Sequence, residues 1–231
     1  MGPSIVVSKQ GGKMDSFLDQ LHTFDCQLTR FISKRTLPTC FECVPYAGAN
    51  LFGWHGMLLF WPSCFFATHG VPGVLQFLLS AGIGQSVCRF GKLVVSRDRP
   101  ALPVPLPLRH FQVAVPLKEA TGDGPSFPSG DSMAAGTVAG TLYFLSGNQA
   151  PLLLAVLGMY GRMFYHCHYF LDTFVGAAIG VSSAAVAVSC VPGGLSKRQF
   201  LMIVPLFVLW MKVSKRVAKW VRIVLLQMSQ K

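Results

Sequence analysis

The chain has 231 residues, 52% of them hydrophobic and only 13% charged, with a mean hydropathy of +0.48. Soluble domains carry about 25% charged residues, so this composition excludes a disordered chain and argues against an ordinary soluble enzyme. The net charge of +11 fits the Lys and Arg of membrane-protein loops and carries no nucleic-acid meaning. Seven cysteines at irregular spacings imply no disulfide framework, and Cys40 and Cys43 lack the second pair of a zinc site.

Residues 1–13 are polar, unlike the charged-then-apolar build of a secretory signal. Over 14–34, Phe17, Leu18, Leu21, Phe24, Leu28, Phe31 and Ile32 recur at helical spacing, with Asp15, Asp19, Asp25 and Arg30 among them. This segment is too charged to span, so an N-terminal interfacial amphipathic helix is expected; a helix packed on the loops is the alternative. Downstream, 44–88, 132–161 and 173–196 contain no Asp, Glu, Lys or Arg, the sequence form of membrane spans. Spans are expected at 49–68, 74–94, 128–145, 151–165 and 169–191, with a turn at 69–73 and a Pro-rich, charged connection over 96–127.

A sixth candidate, 199–211, is too short to cross without the start of the tail. In that tail Val213, Val217, Trp220, Val221, Val224 and Met228 line one helical face, and Lys212, Lys215, Arg216, Lys219 and Arg222 the other. A basic amphipathic helix of this kind favours an anionic lipid surface. The expected fold is therefore all-α: a polytopic membrane bundle of five or six spans over 45–211, an N-terminal segment over 1–44 and a basic tail over 212–231.

Polar clusters beside membrane spans are costly and therefore informative. The first runs from Lys92 through Arg97-Asp98-Arg99-Pro100, the second is Pro128-Ser129-Gly130-Asp131, and the third joins Arg162, His166, His168 and Asp172. Counting crossings puts all three on one membrane face. Lys92, Arg99 and Arg162 suit a phosphate, with arginine supplying bidentate contacts. Ser129 and Gly130 open a helix, where unpaired N–H groups and the dipole favour an anion. His168 and Asp172, four apart, share a helical face, the arrangement of a nucleophile with its orienting partner. Taken singly, Lys92 reads as a snorkelling lysine, Ser129 and Asp131 as caps, and the His168–Asp172 pair as structural; the conjunction of three clusters on one face favours a site.

Lys92 followed after six residues by Arg99-Pro100, then Pro128-Ser129-Gly130, then Arg162, His168 and Asp172 at intervals of six and four, resembles the three-part signature of the type 2 phosphatidic acid phosphatase superfamily. The superfamily also includes vanadium-dependent haloperoxidases and bacterial acid phosphatases. The resemblance covers about 92–172 and implies a helical bundle with a metal-independent phosphatase site and no cofactor. It implies that Lys92, Arg99, Ser129, Gly130 and Arg162 bind phosphate, with His168 as nucleophile and Asp172 as its partner. The implied substrate is a lipid phosphate or diphosphate, cleaved through a phosphohistidine.

The chain departs from the pattern twice. Gly161 precedes Arg162 where the family usually has serine, and Asp131 stands where the family has the histidine that protonates the leaving group. Asp131 serves as that acid only if burial or a neighbouring carboxylate keeps it protonated, and nearby cations oppose this. His166 is a substitute donor to consider. A weak or silent headgroup-binding relative and a lipid phosphotransferase remain as rivals. Lys9, Lys13, Arg30, Lys34 and Arg35 argue for a cytoplasmic site by the positive-inside rule, and Lys197 and Arg198 argue against it. The endoplasmic reticulum is the default location expected for a eukaryotic multi-pass chain.

Overall fold

The computed structural model describes residues 13–53, 56–101, 109–111 and 124–191. The sixth span expected at 199–211, the basic tail and most of the 96–127 connection fall outside these residues. All regular structure among the described residues is helical: α1 (Lys13–Ser33), α2 (Thr39–Asn50), α3 (Trp61–Val94), α4 (Gly130–Ser146), α5 (Leu152–Phe164) and α6 (Phe170–Cys190). A short π-helical turn, Gly56–Phe60, leads into α3.

The expected span at 49–68 is not one continuous helix, because α2 ends at Asn50 and residues 51–53 are turn and bend before the helical turn that starts at Gly56. The expected turn at 69–73 is real, although the helix assignment runs through it. Gly70 has φ 63° and ψ −157°, a conformation open to glycine and costly for other residues. The Phe65 and Phe77 rings stack 4.8 Å apart, whereas twelve residues of straight helix would separate their Cα atoms by about 18 Å. The two limbs of α3 therefore fold back on each other. Phe52, Trp61, Phe65, Phe77 and Val138 fill the space between these limbs, the α2 end and α4.

Small residues set the approach of α4 to α6. A Cβ on Gly180 would overlap the Met133 carbonyl oxygen, and one on Gly176 the Ser129 carbonyl oxygen. Such close contacts are how helices associate when lipid offers no hydrophobic contrast. Large apolar side chains instead point outward: Phe66, Phe90, Leu153, Val156, Phe174 and Val186 are all at least half exposed. An apolar exterior on this scale marks a membrane-associated protein. Two stretches, Gly56–Val94 and Phe170–Cys190, are long and apolar enough to cross by length and composition. At 17 and 13 residues, α4 and α5 fall short of the roughly 20 that a full crossing takes.

The N-terminal helix α1 is amphipathic in an unusual sense. Asp25, Thr29 and Ser33 on one face are fully buried, while Phe17, Phe24 and Phe31 are exposed. Arg109 fixes its C-terminal end, donating to the carbonyls of Ser33 at 2.6 Å, Arg35 at 2.8 Å and Phe164 at 2.8 Å. Helix C-terminal carbonyls lack intrahelical donors, so a guanidinium is well suited there. Buried Glu42 of α2 accepts from the backbone N–H groups of His110 and Phe111 and from the Tyr165 hydroxyl. These contacts hold the 109–111 segment between α1, α2 and α5.

Candidate active site

Four helix ends meet on one side of the bundle: the C-termini of α3 and α5 and the N-termini of α4 and α6. Between them run two irregular segments that lie side by side. Ser126 N–H donates to the Arg97 carbonyl at 2.7 Å, Lys92 Nζ to the Pro125 carbonyl at 2.7 Å, and Arg99 Nε to the Gly124 carbonyl at 3.5 Å. Lys92 also lies within electrostatic reach of Arg99, Asp131 and Asp172. The first sequence cluster thereby comes up against the second.

Ser129 is the N-cap of α4, its buried hydroxyl accepting from the Ser132 N–H at 3.3 Å. Its own N–H donates to the Asp172 carbonyl oxygen at 2.9 Å, which ties the start of α4 to the start of α6. Gly130 follows with open space: a Cβ there would meet nothing within 4 Å. Among the described residues nothing packs there, and open space at the first turn of a helix is room that an anion could use.

His168 is buried in the connection between α5 and α6. Its Nδ1 lies 3.2 Å from Ser126 Oγ and 3.8 Å from Asp172 Oδ2. Ser126 Oγ in turn donates to Asp172 Oδ2 at 2.5 Å. With its proton committed to Asp172, the Ser126 oxygen accepts from Nδ1–H, which leaves the lone pair on Nε2. The contact expected directly between His168 and Asp172 is thus bridged by a serine. Burial pushes the His168 pKa down to about 4; the Asp172 contact opposes this, and the charges of Arg162 and Arg99 add to it.

Asp172 is fully buried, and its carboxylate accepts from two further groups. Its Oδ2 takes the Tyr169 N–H at 3.0 Å, closing the capping box that starts α6. Its Oδ1 takes Arg97 Nη1 at 2.8 Å. The other end of that guanidinium is ion-paired with Asp25 of α1, and its face lies 4.0 Å over the Tyr169 ring.

Arg162, in the last turn of α5 and buried, is ion-paired through Nη1 with Asp131 Oδ2 at 2.9 Å. Asp131, partly exposed, therefore pairs with one of the three cations that the resemblance implies for phosphate. His166 is turned elsewhere. Its backbone takes a left-handed φ of 58°, and its Nε2 lies 2.5 Å from the Ala101 carbonyl oxygen. Burial lowers its pKa; that carbonyl opposes the shift, and the charges of Arg109 and Arg30 add to it. Its charged neighbours are thus those of the α1 side, which gives no support to His166 as the substitute donor.

The eight residues singled out from sequence all fall around this one end of the bundle. Three more belong with them: Ser126, Arg97 and Asp25. Arg97 lies inside the first cluster, but its spacing carries no sign that it faces a carboxylate. Asp25, Thr29 and Ser33 form a polar stripe at intervals of four, and that stripe is the trace by which Asp25 was detectable. Among the described residues no group of histidine, cysteine and carboxylate side chains is arranged to hold a metal ion.

Comparison with known proteins identifies the family. The family model described as the PAP2 superfamily matches residues 73–194, so the chain belongs to that superfamily, the type 2 phosphatidic acid phosphatases. Membership supports a phosphatase of the lipid-directed PAP2 type. The crystal structure of Aquifex aeolicus LpxE is similar in fold, with a TM-score of 0.50 at 24% identity, covering 71% of this chain and 93% of that one. No curated protein matches the chain.

Proposed function

We propose that the chain is a multi-pass membrane phosphatase that cleaves a lipid phosphate or a lipid diphosphate of isoprenyl type, without metal, through a phosphohistidine at His168. The observation that carries this reading is the relay from His168 Nδ1 through Ser126 to Asp172, beside Arg99 and Arg162. Nε2 attacks phosphorus in line, the bond from phosphorus to the leaving oxygen breaks, and its electron pair departs with that oxygen. Arg99, Arg162, Lys92 and the first turn of α4 stabilise the charge on the transferring phosphoryl group. Water then attacks phosphorus, the bond from phosphorus to Nε2 breaks with its electron pair returning to the ring, and a water proton passes to solvent as inorganic phosphate leaves.

The Asp131–Arg162 ion pair favours the diphosphate. A phosphomonoester leaves as an alkoxide, which needs a proton, and general acid help of that kind is worth about 10²–10⁴ in rate. A diphosphate leaves as a phosphate monoester, a much weaker base that departs unprotonated. The same ion pair favours, as a second reading, a slow relative that chiefly binds phospholipid headgroups. The covalent intermediate separates the two. Brief exposure of the detergent-purified chain to isoprenyl diphosphate carrying terminal ³²P should leave acid-labile, base-stable label on the protein, absent from His168→Ala. Label that persists in His168→Ala would overturn the assignment of the nucleophile, and turnover without label would remove the intermediate.

A further inference from the structure

We propose that Asp25 and Arg97 are positioning residues of the nucleophilic centre, with Arg97 bridging the Asp25 and Asp172 carboxylates so as to fix where Asp172 meets Ser126 and His168. The inference rests on the phosphatase reading and extends it to an element outside the three sequence clusters.

Among the described residues, Arg97 is the side chain that links α1 to the Asp172 carboxylate. Nη1 donates to Asp172 Oδ1 at 2.8 Å, and the other terminal nitrogen pairs with Asp25 Oδ2. Both carboxylates are fully buried, while the arginine retains 19% of its side-chain exposure. Burial disfavours the Arg97 charge, but the bond to Asp25 and the Asp172 charge outweigh it and raise its pKa. The guanidinium carbon lies 4.0 Å over the Tyr169 ring, a third contact that holds it between the two carboxylates.

The α1 side of the clamp is built with equal care for the start of α6. Asp25 Oδ1 accepts the Leu171 N–H at 2.8 Å, and Thr29 Oγ1 accepts the Phe170 N–H at 2.9 Å. These first-turn N–H groups have no intrahelical partner. Asp172 thus has its position set twice: by Arg97 at one oxygen, and by the anchoring of its own helix end to α1. Neither Asp25 nor Arg97 reaches His168, so each acts through Asp172.

Electrostatics gives this role a signature that a purely structural role lacks. Facing the His168 ring are Asp172 from α6, Arg162 from α5, Arg99 from the segment after α3, and the Ser126 hydroxyl. Facing Arg97 are Asp25, His22 and Cys26 from α1, with Asp172 and Tyr169 from the α6 side. Arg97 offsets the pull of Asp172 on a proton at His168, and Asp25 offsets Arg97. Removing the arginine charge should therefore raise the pH at which His168 titrates, and removing the Asp25 charge should lower it. A charge within about 4–6 Å moves a titration by about 1–3 pH units; Arg97 and Asp25 act from behind Asp172, so the shifts are smaller and their opposite signs are the signature.

The test is a titration of the full chain, labelled with ¹⁵N-histidine in detergent, with His168→Ala identifying the resonance. It reads the ring directly, so it holds even if the native chain turns no substrate over. Arg97→Gln should move the midpoint up, Asp25→Asn down, and the double variant back towards the native value. In phosphate-release assays Arg97→Gln should lower kcat about tenfold with KM little changed, since it touches no substrate. Arg97→Lys keeps the charge, guards against a fold that fails without it, and should hold the native midpoint. Midpoints that stay fixed in every variant, or that move the same way in both single variants, would overturn the proposal.

Discussion

His168 is held through Nδ1 by Ser126, and Ser126 through its own proton by Asp172. That chain of donors fixes the tautomer and keeps Nε2 available, while burial holds the ring neutral down to about pH 4. Protonation of Nε2 removes the attacking lone pair, so activity is lost as pH falls through the His168 pKa and not before. The acid limb of kcat/KM should accordingly lie near pH 4 to 5, well below the ordinary histidine value of about 6.5. A limb centred at 6 to 7 would contradict the buried, cation-flanked ring. Asp131 carries a second expectation. Replacing it with histidine removes the carboxylate from Arg162 and supplies a proton donor, so turnover of monoesters should rise more than that of diphosphates. Comparing the two substrates on native and D131H protein measures this, and equal changes in both would count against it.

At the scale of elements, the site depends on how closely α4 and α6 approach, because Ser129 N–H reaches the Asp172 carbonyl across that contact. Gly180 packs its backbone on the Met133 carbonyl, and an added side chain must push the helices apart. Overpacking of this kind costs about 1–3 kcal/mol or more, so Gly180→Val should lower the thermal midpoint in detergent and reduce activity with it. An unchanged midpoint would mean the two helices are not held by that contact. Helices and clusters were legible because apolar runs and local spacings are local signals: the turn near Gly70, the α4 start at Gly130 and the His168–Asp172 interval all follow from neighbours in the chain. Arg97 pairs with Asp25 and Asp172 across 72 and 75 residues, and Ser126 with Asp172 across 46. Contacts at that range leave no periodicity to read. The α1 expectation shows the same limit from another side: amphipathy indicated a two-faced helix, but not that its polar face is the buried one.

On the scale of the whole molecule, the polarity of the bundle is distributed in layers. Among the described residues, apolar side chains face outward on α3, α5 and α6, small residues and hydroxyls fill the helix contacts, and Lys92, Arg97, Arg99, Asp131, Arg162 and Asp172 gather at one end. That end is where a headgroup would meet the protein with its tail still in lipid, which is why a lipid-anchored phosphate is the natural substrate and a path across the bundle is not. The groups proposed to bind phosphate come from α3, α4, α5 and the segments between them, and α1, outside the matched family region, packs behind the proposed nucleophile through Asp25 and Arg97. The central claim is that this end performs metal-independent phosphoryl transfer at His168. Phosphate release by detergent-purified protein, with chelator present, tests it on a lipid monophosphate and an isoprenyl diphosphate, with native and His168→Ala chains compared. The account predicts release by the native chain, faster from the diphosphate, and none from the variant; release that requires added metal, or that survives in His168→Ala, would contradict it.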